Sequence, residues 1–312
     1  MPKYQINMKI AILIPCYNEA VTIAKVVADF KLAIPEAEIH VFDNLSADET
    51  GDIARAAGAI VHLVPVQGKG AVVRQMFREV ECDVGVMVDG DDTYPAARIR
   101  DVMQPVVEGR ADMVVGTRLQ QHADASFRPL HVFGNQLVLQ SINVLFNARF
   151  SDVLSGYRAF SWRFMKTTPV LSKGFEIETE ITLHALEHHM PVVEVPVAYG
   201  VRPEGSESKL HTFRDGYRVL KTILHLYKDY RPLLFFGAIG AVLAAVSIVL
   251  GVVIVDEFMS KGRAGPSRAV LAVALGLVGM LSFATGLVLD TVNRRSRELM
   301  VLIADQLVQR KR

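Results

Sequence analysis

The chain has 312 residues, enough for one large domain or two modest ones. Its net charge of +1, from 34 Lys and Arg against 33 Asp and Glu, excludes a general nucleic-acid binder, whose domains run strongly basic. Apolar residues make up 51% and charged residues 21%, with a mean hydropathy of +0.27, which excludes disorder and points to membrane-buried sequence.

In chain order, the run Ile10 to Ile14 is too short for a secretory signal and stops at Pro15, so it reads as a strand. Buried strands are expected at Lys9–Pro15, Glu38–Asp43, Ala59–Val64, Val84–Asp89 and Ala111–Gly116. Helical patterns fall between them at Ala20–Leu32, Ala47–Ala57, Ala71–Val80 and Ala96–Glu108. That alternation predicts right-handed βαβ units, a mostly parallel sheet, and a site at the carboxyl ends of the strands. Two cysteines, Cys16 and Cys82, cannot make a disulfide framework and suit a reduced, cytosol-facing chain.

Two later stretches change character. Leu233 to Val255 and Ala269 to Leu289 carry no charge and are each long enough to cross a bilayer as a helix. Arg214, Arg218, Lys221, Lys228 and Arg231 precede the first; Arg294, Arg295, Arg297, Arg310, Lys311 and Arg312 follow or close the second. By the positive-inside rule, both termini and the α/β domain are expected on the cytoplasmic face of the inner membrane. Phe213, Tyr217, Leu220, Leu224 and Tyr227 recur at helical spacing among basic residues, the pattern of a helix lying along lipid headgroups. The expected organisation is therefore a domain over 1–209, an amphipathic helix over 210–231, and a first transmembrane helix over 232–255. A short non-cytoplasmic loop over 256–268, a second helix over 269–290 and a basic cytoplasmic tail over 291–312 complete it.

Three expected strands end in polar, loop-forming residues: Cys16-Tyr17-Asn18-Glu19, Asp43-Asn44 and Asp89-Gly90-Asp91-Asp92. Clustered carboxylates at a strand end repel one another and call for a cation; Mg²⁺ or Mn²⁺ would bind their oxygens and keep positions open for phosphate. Gln67-Gly68-Lys69-Gly70 precedes a helix and places a lysine to meet phosphate oxygens or a base, without the spacing of a P-loop. His184-Ala185-Leu186-Glu187-His188 fits a zinc-binding pattern but lacks an evident third ligand, so solvated or ion-paired histidines are expected there.

Taken in order, Ile14-Pro15-Cys16-Tyr17-Asn18-Glu19, Asp43-Asn44-x-Ser46, Gly68-Lys69-Gly70, Asp89-Gly90-Asp91-Asp92 and Asp152-x-x-Ser155-Gly156-Tyr157-Arg158 resemble family-2 glycosyltransferases of GT-A fold. The arrangement is similar to the branch containing dolichyl-phosphate mannose synthase and bacterial polyprenyl-phosphate glycosyltransferases. The resemblance implies an α/β GT-A domain followed by two membrane helices, and inverting transfer of one sugar from a UDP- or GDP-sugar to a polyprenyl phosphate. It implies that Pro15, Tyr17, Glu19, Asp43, Lys69, Asp89 and Asp91 bind the donor nucleotide, with Asp91 and then Asp89 as ligands of Mg²⁺ or Mn²⁺. Thr93 stands where mannose synthases often have Gln, which makes mannose specificity less secure. Arg118, Arg128, His131, Asn135, Arg158, Arg202 and Lys209 are the expected acceptor-phosphate ligands, because a phosphate entering beside a diphosphate needs cations. Asp152 is expected to orient Arg158 or another cation, and Asp152 and Arg118 are the expected catalytic residues. A homo-oligomer is compatible with the family. The alternative class is a nucleotide-sugar-binding membrane scaffold without turnover. A processive synthase is disfavoured, since Trp162-Arg163 reverses the order of that signature and two spans offer no polymer channel.

Overall fold

The computed structural model describes residues 8–118, 129–172, 177–200, 221, 223–263 and 265–311. It divides into two units, one centred on the N-terminal two-thirds of the chain and one over Tyr217–Met300.

The first unit is built on a seven-stranded sheet in the order β3-β2-β1-β4-β6-β5-β7. The strands are β1 (Ile10–Cys16), β2 (Glu38–Asp43), β3 (Ile60–Leu63), β4 (Val84–Met87), β5 (Met113–Arg118), β6 (Arg158–Ser161) and β7 (Val192–Val197). All run parallel except β6, which pairs antiparallel with β4 and with β5. The helices are α1 (Ile23–Ala33), α2 (Thr50–Ala56), α3 (Lys69–Glu79), α4 (Ile99–Val107), α5 (Pro129–Phe146), α6 (Trp162–Thr167) and α7 (Ile177–Glu187). The five expected strands are present, with ends shifted by no more than two residues. β6 and β7 are additional.

Alternation along β1 shows why the sheet is covered on both sides. Ile10, Ile12 and Ile14 enter one core with Val26 and Phe30 of α1 and Ile99 and Val102 of α4. Ala11 and Leu13 enter the other, with Val73 and Met76 of α3, Phe164 of α6 and Ile181 of α7. Successive side chains point to opposite faces, so a strand apolar at both parities must be buried twice.

Strand order reverses direction between β1 and β4, which opens a crevice at their carboxyl ends. The antiparallel β6 matters most for function. Because it runs the other way, its entry segment, residues 151–157, lies at the same edge as the carboxyl ends of the parallel strands.

The second unit contains the long apolar helix Pro232–Lys261 and the greater part, up to Met300, of the helix Pro266–Lys311. Each carries a window apolar enough to cross a membrane, and only 6% and 17% of those windows are buried within the chain, unlike a soluble core helix. The helices extend beyond the expected 232–255 and 269–290, and the first ends at Gly262, whose φ of 68° forms a left-handed cap. They approach closely at small residues: a Cβ added to Gly240 would lie 2.7 Å from the Gly279 carbonyl oxygen. Ser247 donates to the Ala272 carbonyl at 2.7 Å and Ser282 to the Phe236 carbonyl at 2.9 Å, as membrane helices join through small and hydroxyl side chains. Before them, residues 223–230 are helical; most of the expected amphipathic helix lies outside the described residues.

Candidate active site

The loops after β1 and β2 are latched together by side chains. Asn18 Oδ1 accepts the Ala47 N–H at 2.7 Å, Ser46 Oγ accepts that of Asn18 at 2.9 Å, and Thr50 Oγ1 accepts that of Glu19 at 2.9 Å. Pro15, Tyr17 and Glu19 are half-buried on this rim, beside Asp43. Asp43 Oδ1 accepts the Ser46 N–H at 3.0 Å, closing a local turn. Asn18, Leu45 and Asp92 all have φ between 55° and 59°, so the loops after β1, β2 and β4 each hold a non-glycine residue in a costly conformation.

Asn44 presents Lys69. Its amide donates to the carbonyls of Val64 and Val66 and accepts the Gly68 N–H at 2.7 Å, stapling the turn that opens α3. Gly68 adopts φ 124°, open to glycine and strained for any side chain. The Lys69 ammonium then lies 2.6 Å from both Asp89 Oδ1 and Glu178 Oε1. Burial opposes its charge, but Asp89 and Glu178 together raise its pKa above the ordinary lysine value.

The carboxylates of Asp89-Gly90-Asp91-Asp92 are therefore largely answered from within the fold. Asp89 meets Lys69, Asp92 pairs with Lys25 of α1 at 2.8 Å, and Asp91 Oδ1 accepts the Thr93 hydroxyl at 2.6 Å. Among the described residues, no group of three or more His, Cys, Asp or Glu side chains could hold a metal ion alone. Asp91, 3% exposed, remains a hard oxygen donor at the crevice. One carboxylate, completed by diphosphate oxygens and water, suits Mg²⁺ or Mn²⁺, which seldom takes an all-protein cage.

On the other side of the crevice, Arg118 at the end of β5 meets Asp152 through two bonds: Nε to Oδ2 at 2.7 Å and Nη2 to Oδ1 at 3.0 Å. The guanidinium also lies 5.5 Å from the centre of the Tyr199 ring. Burial works against the Asp152 charge, yet Arg118 outweighs it and holds the carboxyl below its usual range. Tyr94 connects the two halves. Its hydroxyl accepts the Gly156 N–H at 3.1 Å, and its pKa is raised by burial and by Asp89, with Arg118 opposing. Gly156 lies directly against Asp89; a Cβ there would fall 2.2 Å from Oδ2.

Arg158 departs from expectation. It is fully buried, and its guanidinium donates to the carbonyls of Ser155 at 2.8 Å and Val153 at 2.7 Å and to Thr182 Oγ1 at 2.8 Å. Burial pulls its pKa down to about 10. It stabilises the 153–155 turn rather than facing an acceptor, and the cation that Asp152 grips is Arg118. Asn135 is exposed on α5, which also carries His131, whose side chain lies outside the described residues together with Arg128, Arg202 and Lys209. His184 is a core residue rather than a solvated one: its ring lies against Phe164 and His188, and burial lowers its pKa to about 3. Glu178, Tyr94, Tyr199 and Glu194 contact this machinery without belonging to a recognised motif.

Residues 11–163 match the family described as Glycosyl transferase family 2. The chain is 31% identical over 297 residues to "Glycosyltransferase AglJ" of Haloferax volcanii, covering 95% of this chain and 97% of that one. It is 28% identical over 223 residues to the "Dolichyl-phosphate hexose transferase" of the same organism, covering 71% and 95%. Among solved structures it resembles glucosyl-3-phosphoglycerate synthase from Mycobacterium tuberculosis in complex with Mn²⁺, UDP and phosphoglyceric acid. That likeness has a TM-score of 0.58 at 20% identity, covers 71% of this chain and 78% of that one, and establishes the GT-A type of fold.

Proposed function

The chain belongs to glycosyl transferase family 2, and from that premise we propose that it transfers one sugar from a UDP- or GDP-sugar to a polyprenyl phosphate at a membrane. The observation that carries the reading is the shared crevice. Asp89 with Lys69 on one side and Arg118 with Asp152 on the other meet at Tyr94 and Gly156. A nucleotide needs the first set, and a second anionic substrate needs a cation such as Arg118. Relatives named for dolichyl and undecaprenyl phosphate and the two candidate membrane helices support a lipid acceptor.

In this reading Pro15, Tyr17, Glu19 and Asp43 border the nucleoside, and Lys69 and Asp89 fix the sugar nucleotide. Asp91 would hold a Mg²⁺ or Mn²⁺ ion, which when bound offsets charge on the departing diphosphate. Arg118, held by Asp152, orients the lipid phosphate. A phosphate oxygen forms the bond to the anomeric carbon while that carbon's bond to the diphosphate oxygen breaks, with inversion. The nucleoside diphosphate leaves with the electron pair. A phosphate monoester with a second pKa of about 6 is already largely dianionic at neutral pH, so no side chain has to remove a proton. The α/β domain and both termini face the cytoplasm, given the basic residues flanking the spans.

The test incubates membranes containing the full chain with labelled UDP-glucose, UDP-galactose or GDP-mannose and extracts lipid-linked sugar. Label in a mild-acid-labile lipid phosphate is the expected result. Nucleotide binding with no transfer from any donor would favour a non-catalytic scaffold.

A further inference from the structure

Glu194 lies on β7 opposite Val115 of β5 and belongs to none of the motifs read from the sequence. Its carboxylate reaches the segment that enters β6. Oε1 and Oε2 accept the Ser151 N–H at 2.9 and 3.1 Å, and Oε1 accepts the Asp152 N–H at 3.1 Å. One residue earlier, the Asn143 side chain holds Phe150 at both its N–H, at 2.9 Å, and its carbonyl, at 3.0 Å. Two residues later, Asp152 Oδ1 accepts the Leu154 N–H at 3.0 Å. The approach to β6 is thus held by side chains instead of a sheet ladder.

Anchoring two consecutive N–H groups on one carboxylate fixes the peptide plane at Asp152 and therefore the direction of its side chain. Bonds from N–H groups to an ionised acceptor are among the stronger hydrogen bonds. The bidentate Arg118–Asp152 contact depends on that direction, because a fork-to-fork pair tolerates little rotation. Glu194 also borders an existing cavity of about 280 Å³ lined by Phe150, Leu186, Met190 and Val192, so truncating it opens no new void in the core.

We propose that Glu194 is a positioning residue for the acceptor arginine, acting through the backbone of Asp152. The inference rests on the acceptor role proposed above for Arg118. Glu194 touches no reacting atom in this scheme, and its whole effect passes through Asp152.

The test uses the purified full chain in lipid nanodiscs as wild type, Glu194→Ala, Glu194→Gln, Asp152→Asn and the Glu194→Ala/Asp152→Asn double variant. The first readout is the rate of phenylglyoxal modification of Arg118, followed by mass spectrometry, which requires no turnover. Glu194→Ala should speed that modification about tenfold, the scale of one lost hydrogen bond to a charged group. Glu194→Gln keeps one amide oxygen for the two N–H groups and should fall between. The double variant should react no faster than Asp152→Asn alone, since both changes release the same arginine. The second readout is steady-state kinetics with undecaprenyl phosphate and whichever of the three labelled donors wild type uses. There the KM for the lipid phosphate should rise, with the donor KM unchanged. An unchanged Arg118 rate in Glu194→Ala, or additive effects in the double variant, overturns the proposal. Wild type that transfers no sugar, with the labelling pattern as expected, overturns the lipid-acceptor function and leaves the positioning role intact.

Discussion

The Asp152 carboxylate grips Arg118 at three points: the guanidinium Nε at 2.7 Å, Nη2 at 3.0 Å, and the backbone N–H of Arg118 itself at 3.2 Å. Asp152 is thereby committed to a cation and poorly suited to accept a proton near neutral pH. Asp152→Asn should lower turnover on the order of 10²-fold, the cost of misplacing a positioned group by about an ångström. Because the Asp152 pKa lies below the usual carboxylate range, its stabilising contribution is present above about pH 4 and lost as pH falls through its folded value. If the proposed lipid phosphate is the acceptor, turnover of wild type and variant should both rise through about pH 6, where a phosphate monoester ionises, and then level. A pH–rate profile at saturating substrates checks this; a basic limb present in wild type and missing in the variant would make Asp152 the proton acceptor.

Asp91→Asn is nearly isosteric and keeps an oxygen for the Thr93 hydroxyl. The variant should fold and enter membranes normally. Calorimetry with UDP or GDP should show Mg²⁺- or Mn²⁺-dependent binding in wild type and its loss in the variant. Equal binding in both would remove Asp91 from the ion.

Lys69 holds two carboxylates in a largely buried site, with side-chain exposures of 13% for Lys69, 25% for Asp89 and 6% for Glu178. Lys69→Ala should destabilise the domain by about 3–5 kcal/mol, the usual cost of leaving a buried charge unpaired. Adding Glu178→Gln should recover part of that loss. The raised Lys69 pKa makes its contribution fully present below about pH 10 and lost only at higher pH, so the deficit should be flat from pH 6 to 9. Thermal midpoints across that range test both statements.

Gly156→Ala places a Cβ 2.2 Å from Asp89 Oδ2, the carboxylate proposed above to hold the donor. The change should weaken nucleotide binding and cost about 1–3 kcal/mol of stability from overpacking. Isothermal titration with UDP or GDP and a melting curve measure the two effects. Wild-type affinity in the variant would separate Asp89 from the donor.

The apolar helix pair offers a test of its own. A Cβ on Gly276 would lie 3.7 Å from that of Ser247, within the range of a disulfide. Ser247→Cys/Gly276→Cys should crosslink within one chain under mild oxidation in membranes, and Gly279→Leu in the same background should abolish it by forcing the helices apart. Mass spectrometry of the cleaved product reads the bond.

The first five strands and the four helices between them, the polar ends of β1, β2 and β4, and the two long apolar stretches were legible in the sequence. Each depends on local composition and period: apolar runs for buried strands, turn-forming residues where they stop, and charge-free stretches for spans. The carboxylates of Asp89-Gly90-Asp91-Asp92 were legible as a cluster wanting positive charge. Periodicity, however, records that a side chain is buried without recording what it is buried against. Lys25 as the partner of Asp92, and Glu178 as a second partner of Lys69, are contacts across 67 and 109 residues of chain, which local pattern does not encode.

The direction of β6 was decided only in three dimensions. Arg158-Ala159-Phe160-Ser161 is a short run that could have extended the parallel sheet, but its pairing with β4 and β5 is antiparallel. That reversal carries residues 151–157 to the edge where the parallel strands end, turns Arg158 into the interior, and sets Asp152 against Arg118. Side-chain alternation along a strand is the same in either direction, so the sequence by itself determined the five strands that precede β6, while long-range pairing decided that residues 158–161 join them and which way they run.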